Sequence, residues 1–199
     1  MTIRPVKISE LDILLSITRE TFIHTYEHLN NPDDFQTYLN NNFTLEKIQK
    51  ELDMVQNDPD VTTSEVQLQG INSNLQGSYY YFAETEKIIG YFKINTDKSP
   101  LEGTEPIIYD KKFDFNTLKG VEIERIYVLP VMKGQGIGRL MIEKIIEIAK
   151  TNGFVYVWLG VWAENAAAIT FYQKIGFTIF GEHTFMMGND AQKDLMMMI

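Results

Sequence analysis

The second half of the chain carries the clearest pattern of apolar and polar positions. Val121 to Leu129 is apolar enough for a strand, and a glycine-rich segment, Gly134-Gln135-Gly136-Ile137-Gly138, follows it. A helix then predicts itself to about Lys150. Ile137, Leu140, Met141, Ile145, Ile148 and Ala149 form the apolar stripe, with Glu143, Lys144, Glu147 and Lys150 opposite. Asn152-Gly153 ends it. Phe154 to Gly160 reads as a buried strand, Asn165 to Ile175 as a short helix stopped by Gly176, and Phe177–Met187 and Lys193–Met198 as closing strands. Strand, helix, strand with short connections implies a right-handed crossover and locally parallel strands.

The first half is less regular. Ile3 to Ile8 predicts a short strand. A helix capped by Ser9, with Asp12 as the capping acid, extends to about Leu29 and carries Leu11, Leu15, Thr18, Phe22 and Leu29 on one face. Asn31-Pro32 opens a second helix to Asn42, and Thr44 caps a third to about Asn57. Tyr79–Thr85 and Ile88–Asn95 predict a hairpin. Segments 58–77 and 97–119 are polar connections without periodicity. No repeat or long linker divides the chain, so residues 1–199 are expected to form a single α/β domain with a mixed sheet.

Composition narrows the chemistry. The 199 residues are 44% hydrophobic and 23% charged, as in an ordinary globular domain. With no cysteine, a cysteine nucleophile and a thiolate metal site are excluded. No apolar run reaches the length of a membrane span, and Met1 to Pro5 lacks an apolar leader core, so no membrane partner and a cytoplasmic location are expected. The net charge of −9 disfavours nucleic acid and suits a cationic partner.

The glycine segment joins a strand to a helix. Glycines allow a sharp turn and close approach of a ligand, and the helix start offers free N–H groups and a positive dipole end. Lys133 and Arg139 add charge. A phosphate is the fitting ligand, against the alternative of a turn made for tight packing. Arg139 stands where the dinucleotide fingerprint needs a small residue, and the P-loop Gly-Lys-Ser/Thr is missing, so neither of those folds is indicated.

Glu122-Ile-Glu-Arg-Ile-Tyr-Val-Leu-Pro130, followed by Lys133-Gly-Gln-Gly-Ile-Gly-Arg139, resembles motif A of the GNAT superfamily of N-acetyltransferases, with Lys133 in place of the usual arginine or glutamine. Trp158-Leu-Gly-Val-Trp162 through Asn165 and Tyr172 to Phe177 is similar to its motif B. Within the family, Glu20-Thr-Phe22, Glu122 to Tyr127, Trp158 to Trp162, the stretch Gly181 to Gly188 and Asp194-Leu195 resemble PaiA-type bacterial spermidine/spermine acetyltransferases.

The resemblance implies a central mixed, mostly antiparallel sheet flanked by helices, with acetyl-CoA as the acetyl donor and coenzyme A as a product. It implies transfer to a primary amine of a small cationic acceptor, a polyamine first, by direct attack in a ternary complex. A homodimer is a common state of such proteins. Ile126, Tyr127 and Val128 would pair with the pantetheine arm. Lys133, Gly134, Gln135, Gly136, Ile137, Gly138 and Arg139 would hold the pyrophosphate, and Asn165 would contact the cofactor arm. Lys174 would touch the 3′-phosphate. Tyr172 would be the general acid beside the sulfur. Glu122, with Glu124 second, would be the base; either could instead simply pair with a nearby cation. Tyr26 and Glu27 are candidates to meet a cationic amine, and Trp158 and Trp162 to fill core or pocket wall.

Two other readings differ in class. His24-Thr-Tyr-Glu27-His28 matches the H-x-x-E-H pattern of inverted zincins, which would need a third ligand from elsewhere. A non-catalytic coenzyme A-binding module would keep the glycine turn and Asn165 but not need Glu122 or Tyr172. The acetyltransferase chemistry itself could also serve a protein N-terminus or an antibiotic amine.

Overall fold

A computed structural model describes residues 1–56, 77–101, 104–105, 115 and 117–199. Most of the two polar connections, 58–77 and 97–119, therefore lies outside the described residues. Eight strands form one sheet: β1 (Thr2–Pro5), β2 (Ser78–Glu84), β3 (Ile88–Asn95), β4 (Thr104–Glu105), β5 (Gly120–Val128), β6 (Tyr156–Trp162), β7 (Thr178–Met187) and β8 (Asp190–Met198). Their order is β1-β2-β3-β5-β6-β8-β7-β4. Every pair is antiparallel except β5 and β6. The helices are α1 (Leu11–Tyr26), α2 (Pro32–Asn42), α3 (Leu45–Gln56), α4 (Ile137–Thr151) and α5 (Ala166–Ile175). Among the described residues no helix is long and apolar enough to cross a membrane.

The largest core cluster lies on one face of the sheet. Val121, Ile123, Val157, Leu159 and Val161 meet Ile137, Met141, Ile142, Ile145 and Ile148 of α4 there. Leu140, expected on the apolar stripe of α4, is 46% exposed, and Ile142 is fully buried in its stead. On the opposite face α1 and α3 cover β2 and β3 through Leu14, Ile17, Ile48, Phe82 and Tyr91. Phe22, Phe35, Leu39 and Phe43 join α1 to α2.

Caps explain most helix boundaries. The Asn31 side chain accepts from the N–H groups of Asp33 and Asp34, Thr44 Oγ1 accepts from Lys47, and Asn165 Oδ1 accepts from Ala168. The expected Ser9 cap is replaced. A 3-10 turn starts at Ile8, and Glu10 Oε2 accepts from the Lys7 N–H at 3.0 Å while pairing with Arg4. Leu29, expected to continue the buried face of α1, is 49% exposed, because α1 stops at Tyr26 and a 3-10 turn follows.

Two irregularities in β5 shape the site. Ile94 pairs with Ile123, but Lys93 pairs with Arg125, so Glu124 is an extra, bulged residue. The bulge lets Ile126 and Val128 pack with Ile123 on the α4 face, while Tyr127 packs with Tyr91 on the α1 face. On the other edge, β5 pairs with β6 only over Gly120–Glu122 against Tyr156–Trp158. Beyond Glu122 the two parallel strands part, leaving a wedge-shaped gap in the sheet.

Candidate active site

The gap between β5 and β6 opens into a cleft of about 780 Å³, within the usual range for small-molecule sites. Its walls come from β5 (Ile123 to Val128), the turn into α4, Gly160 and Val161 of β6, the start and body of α5, and the end of α1.

The glycine turn forms one end. Gly134 and Gly136 adopt φ of +80° and +79°, and a Cβ built on either would have no heavy atom within 4 Å. Among the described residues nothing crowds these glycines. They are needed for the left-handed backbone, and the space above them is open to a ligand. Gly136 caps α4, and Leu140 N–H is already bonded to Gly136 O, so the amides of Ile137, Gly138 and Arg139 precede the regular bonding of the helix. Lys133 and Arg139 are exposed on the cleft wall, Arg139 paired with Glu143 at 2.9 Å. This donor set fits a pyrophosphate.

The middle of the cleft holds Ile126, Tyr127, Val128, Asn165 and Tyr172. Asn165 spends its Oδ1 on capping α5, which fixes the side chain. The Tyr172 ring leans on Phe171 and Phe177, and burial, with a smaller effect from Tyr26, raises its phenol above the usual range. Its hydroxyl keeps its proton at neutral pH. Tyr26 stands across from it. Burial raises the Tyr26 phenol, the Asp194 charge raises it further, and contacts with Tyr127 and Asn165 ease it back.

The carboxylates of β5 occupy different surroundings. Asn95 Nδ2 donates to Glu122 Oε2 at 2.6 Å and to Glu124 Oε2 at 2.7 Å. Glu124 also takes Lys93 Nζ at 2.6 Å and Arg125 at 3.1 Å. Although desolvation pushes its pKa up, the charges of Arg125 and Lys93 and the bonds from Lys93 and Asn95 outweigh it and hold the carboxyl below its ordinary value. Lys93 is buried and also pairs with Glu51, whose other oxygen accepts from Tyr80 at 2.5 Å. For Glu122 burial wins and raises the carboxyl to about 7. Glu124 lines the cleft and Glu122 does not.

Of the residues expected from sequence, Glu124, Ile126, Tyr127, Val128, Lys133, Gly134, Gly136, Ile137, Gly138, Arg139, Asn165 and Tyr172 meet at this cleft. Gln135 and Lys174 are exposed outside its lining, and Glu27 is exposed in the turn after α1. Trp158 is buried in a cluster with Tyr156, Phe180 and Met196. His24, Glu27 and His28 are all exposed, and α1 ends at Tyr26, so His24 and His28 do not stand on one α-helix. Sequence reasoning missed Arg125, Gly160 and Phe171 as cleft residues; the Ile123–Ile126 spacing, three rather than two, was the available signal that β5 bulges and turns Arg125 aside.

Residues 19–177 match the Acetyltransferase (GNAT) family. The chain belongs to this family. It is an acyltransferase of the N-acetyltransferase type, and acetyl-CoA fits it as cosubstrate. An uncharacterized N-acetyltransferase of Lactobacillus delbrueckii subsp. lactis is 28% identical over 198 residues, covering 98% of this chain and 95% of that one. The thialysine N-epsilon-acetyltransferase of Bos taurus is 34% identical over 89 residues, 42% of this chain and 52% of the relative. The same fold occurs in the PaiA N-acetyltransferase of Thermoplasma acidophilum, crystallised with coenzyme A, with a TM-score of 0.66 at 21% identity over 99% and 96% of the two chains.

Proposed function

We propose that this GNAT enzyme, acting as one domain over residues 1–199, transfers acetyl from acetyl-CoA to the primary amine of a small cationic acceptor, a polyamine first, by direct attack in a ternary complex. The observation that carries the reading is the parted β5–β6 edge. It joins an open glycine cradle at one end to phenols and carboxylates at the other within a single cleft. In this reading Lys133 to Arg139 hold the pyrophosphate. Ile126 to Val128 and Asn165 bind the pantetheine arm, and exposed Lys174 meets the 3′-phosphate of the nucleotide. Acetyl-CoA supplies the activated thioester.

The protein's own groups manage protons. An alkylamine is an ammonium near neutral pH and must lose a proton before it attacks. Tyr172 donates to the departing thiolate. Because its pKa is raised, it is a poor acid alone. It serves as a relay, giving its proton to sulfur as it regains one shed by the attacking nitrogen. Of the two expected bases, Glu122 has the better pKa but lies off the cleft, and Glu124 faces the cleft but is held ionised by cations. Glu124 therefore holds the ammonium at the cleft, and Glu122 behind it is the group whose pKa suits it to take the proton, the two carboxylates being tied together by the Asn95 amide that donates to both. The acidic net charge and the PaiA-like wording of the sequence support a cationic acceptor in the cytoplasm.

Free-thiol release from acetyl-CoA with spermine, spermidine, amino acids, aminoglycosides and short peptides tests the proposal. Release with polyamines alone supports it in full. Release with another amine discards the polyamine, and no release with any amine, while acetyl-CoA still raises the melting temperature, discards catalysis in favour of a binding module.

A further inference from the structure

One carboxylate beside the cleft has no task in the chemistry above. Asp194 sits near the start of β8, paired in register with Trp162 of β6 and His183 of β7. Its Oδ2 lies 3.4 Å from where a Cβ on Gly160 would stand. Gly160 is exposed and lines the cleft. Glycine at this position leaves open the space that a side chain would fill beside the carboxylate. Among the described residues none donates a hydrogen bond or an ion pair to the Asp194 carboxylate.

The surroundings connect Asp194 to the reacting region. Its charge acts on the phenols of Tyr26 in α1 and Tyr38 in α2. Tyr26 in turn contacts Tyr127 and Asn165 and acts on Tyr172. A group bound at Asp194 would thus change the field at Tyr26, the phenol that acts on Tyr172. The neighbouring cation on β8, Lys193, is paired with Glu182 at 2.7 Å and does not neutralise it. Glu124, the other carboxylate facing this space, is already balanced by Lys93 and Arg125. A half-buried carboxylate without a partner is costly, and a site keeps one where a ligand brings the compensating charge.

We infer that Asp194, in the room that Gly160 leaves at the cleft, is the specificity-determining residue that receives an alkylammonium group of the acceptor. This inference rests on the acetyl-transfer reading for its use but not for the binding site itself. Desolvation alone raises the carboxyl to about 6, so it is mostly ionised at neutral pH and strongly in need of a cation. Carboxylate and phenols together suit an aliphatic ammonium, whose charge meets Asp194 and whose methylenes lie along the rings.

The test uses Asp194→Asn, which keeps shape and removes charge, with Asp194→Glu as the charge-conserving control. Spermidine is titrated calorimetrically into the protein loaded with coenzyme A. The asparagine variant should bind spermidine about 30-fold or more weakly while binding coenzyme A as before, and the glutamate variant should recover part of the loss. In turnover, the ratio of kcat/KM for an alkylamine to that for a hydrazide uncharged at neutral pH should fall by a similar factor. Equal spermidine binding by wild type and Asp194→Asn overturns the site, as does equal loss for charged and uncharged acceptors, which would mark a structural role. Failure of wild type to bind spermidine also overturns it. Acetylation of uncharged amines in that case would leave the acetyltransferase reading standing, whereas Asp194-dependent binding without any turnover would keep the site and discard that reading.

Discussion

Glu122 and Glu124 are two residues apart and share one amide, yet their protonation differs because their cations differ. Lys93 and Arg125 both touch Glu124 and neither touches Glu122. Linkage turns this into a stability signature. The folded pKa of Glu122, about 7, lies above the unfolded value near 4.3. Its stabilising share is thus present below the unfolded pKa and is lost as pH rises through about 7. Glu122→Gln cannot ionise. Linkage across that interval amounts to about 2.6 kcal/mol, so its melting temperature relative to wild type should rise by roughly 5–10 °C between pH 5 and pH 8. A constant difference across that range would mean that Glu122 titrates as an ordinary carboxylate. At Tyr172 the ring packing and the hydroxyl separate cleanly. Tyr172→Phe keeps the contacts with Phe171 and Phe177 and should lower kcat by about 100-fold or more, with acetyl-CoA affinity changed less than about 3-fold. Equal changes in both would remove the proton-relay assignment. The sequence made Tyr172 and Asn165 legible because they sit in a motif. Asp194 was readable only as part of a shared phrase, since its meaning depends on Gly160 of another strand.

At the scale of elements, helices with caps and buried stripes were read nearly to the residue, as α2 and α5 illustrate with Asn31 and Asn165. The errors fell where tertiary contacts override the local pattern. Leu140 and Leu29 fit the helical spacing but face outward, and Arg4 recruits Glu10 so that the first turn begins before Ser9 could cap it. The bulge at Glu124 shows in the sequence only as the three-residue spacing of Ile123 and Ile126, which strict alternation along a strand does not allow. The glycine turn yields a sharper prediction. Gly136 has φ of +79° and open space around its would-be Cβ. Gly136→Ala should therefore lose only the roughly 1 kcal/mol of a left-handed backbone. If the turn cradles the pyrophosphate as proposed, Gly136→Glu puts an anion in its place and should weaken acetyl-CoA binding about 100-fold or more by calorimetry, given the strength of charge-assisted contacts. Normal affinity in a folded Gly136→Glu protein would remove the cradle.

At the scale of the molecule, the two ends of the cleft are built by different parts of the chain. In the proposed reading α4, α5 and the glycine turn form the donor end. The acceptor end depends on α1 and α2 meeting the β7–β8 hairpin, elements far apart in sequence. One latch joins them: Asp34 Oδ1 accepts from Asn189 N–H at 2.8 Å and from its side chain at 3.2 Å, and Gln192 donates to Asn30 at 2.6 Å. Gly188 adopts φ of +63° with its would-be Cβ only 2.6 Å from Asp34 Oδ1, so the hairpin tip lies directly on α2. Asp194 is on the same hairpin, and Tyr26 and Tyr38 are on the helices it docks against. Releasing the latch should therefore separate the carboxylate from its phenols without touching the donor end. Asp34→Ala removes two exposed hydrogen bonds, worth about 1 kcal/mol or somewhat more together. The KM for the amine should rise about 3- to 10-fold by that measure, while the KM for acetyl-CoA stays within about 2-fold. Steady-state kinetics with each substrate varied in turn separate the two. A parallel rise in both constants would show that the hairpin supports the whole cleft and that the acceptor end is not an independent unit.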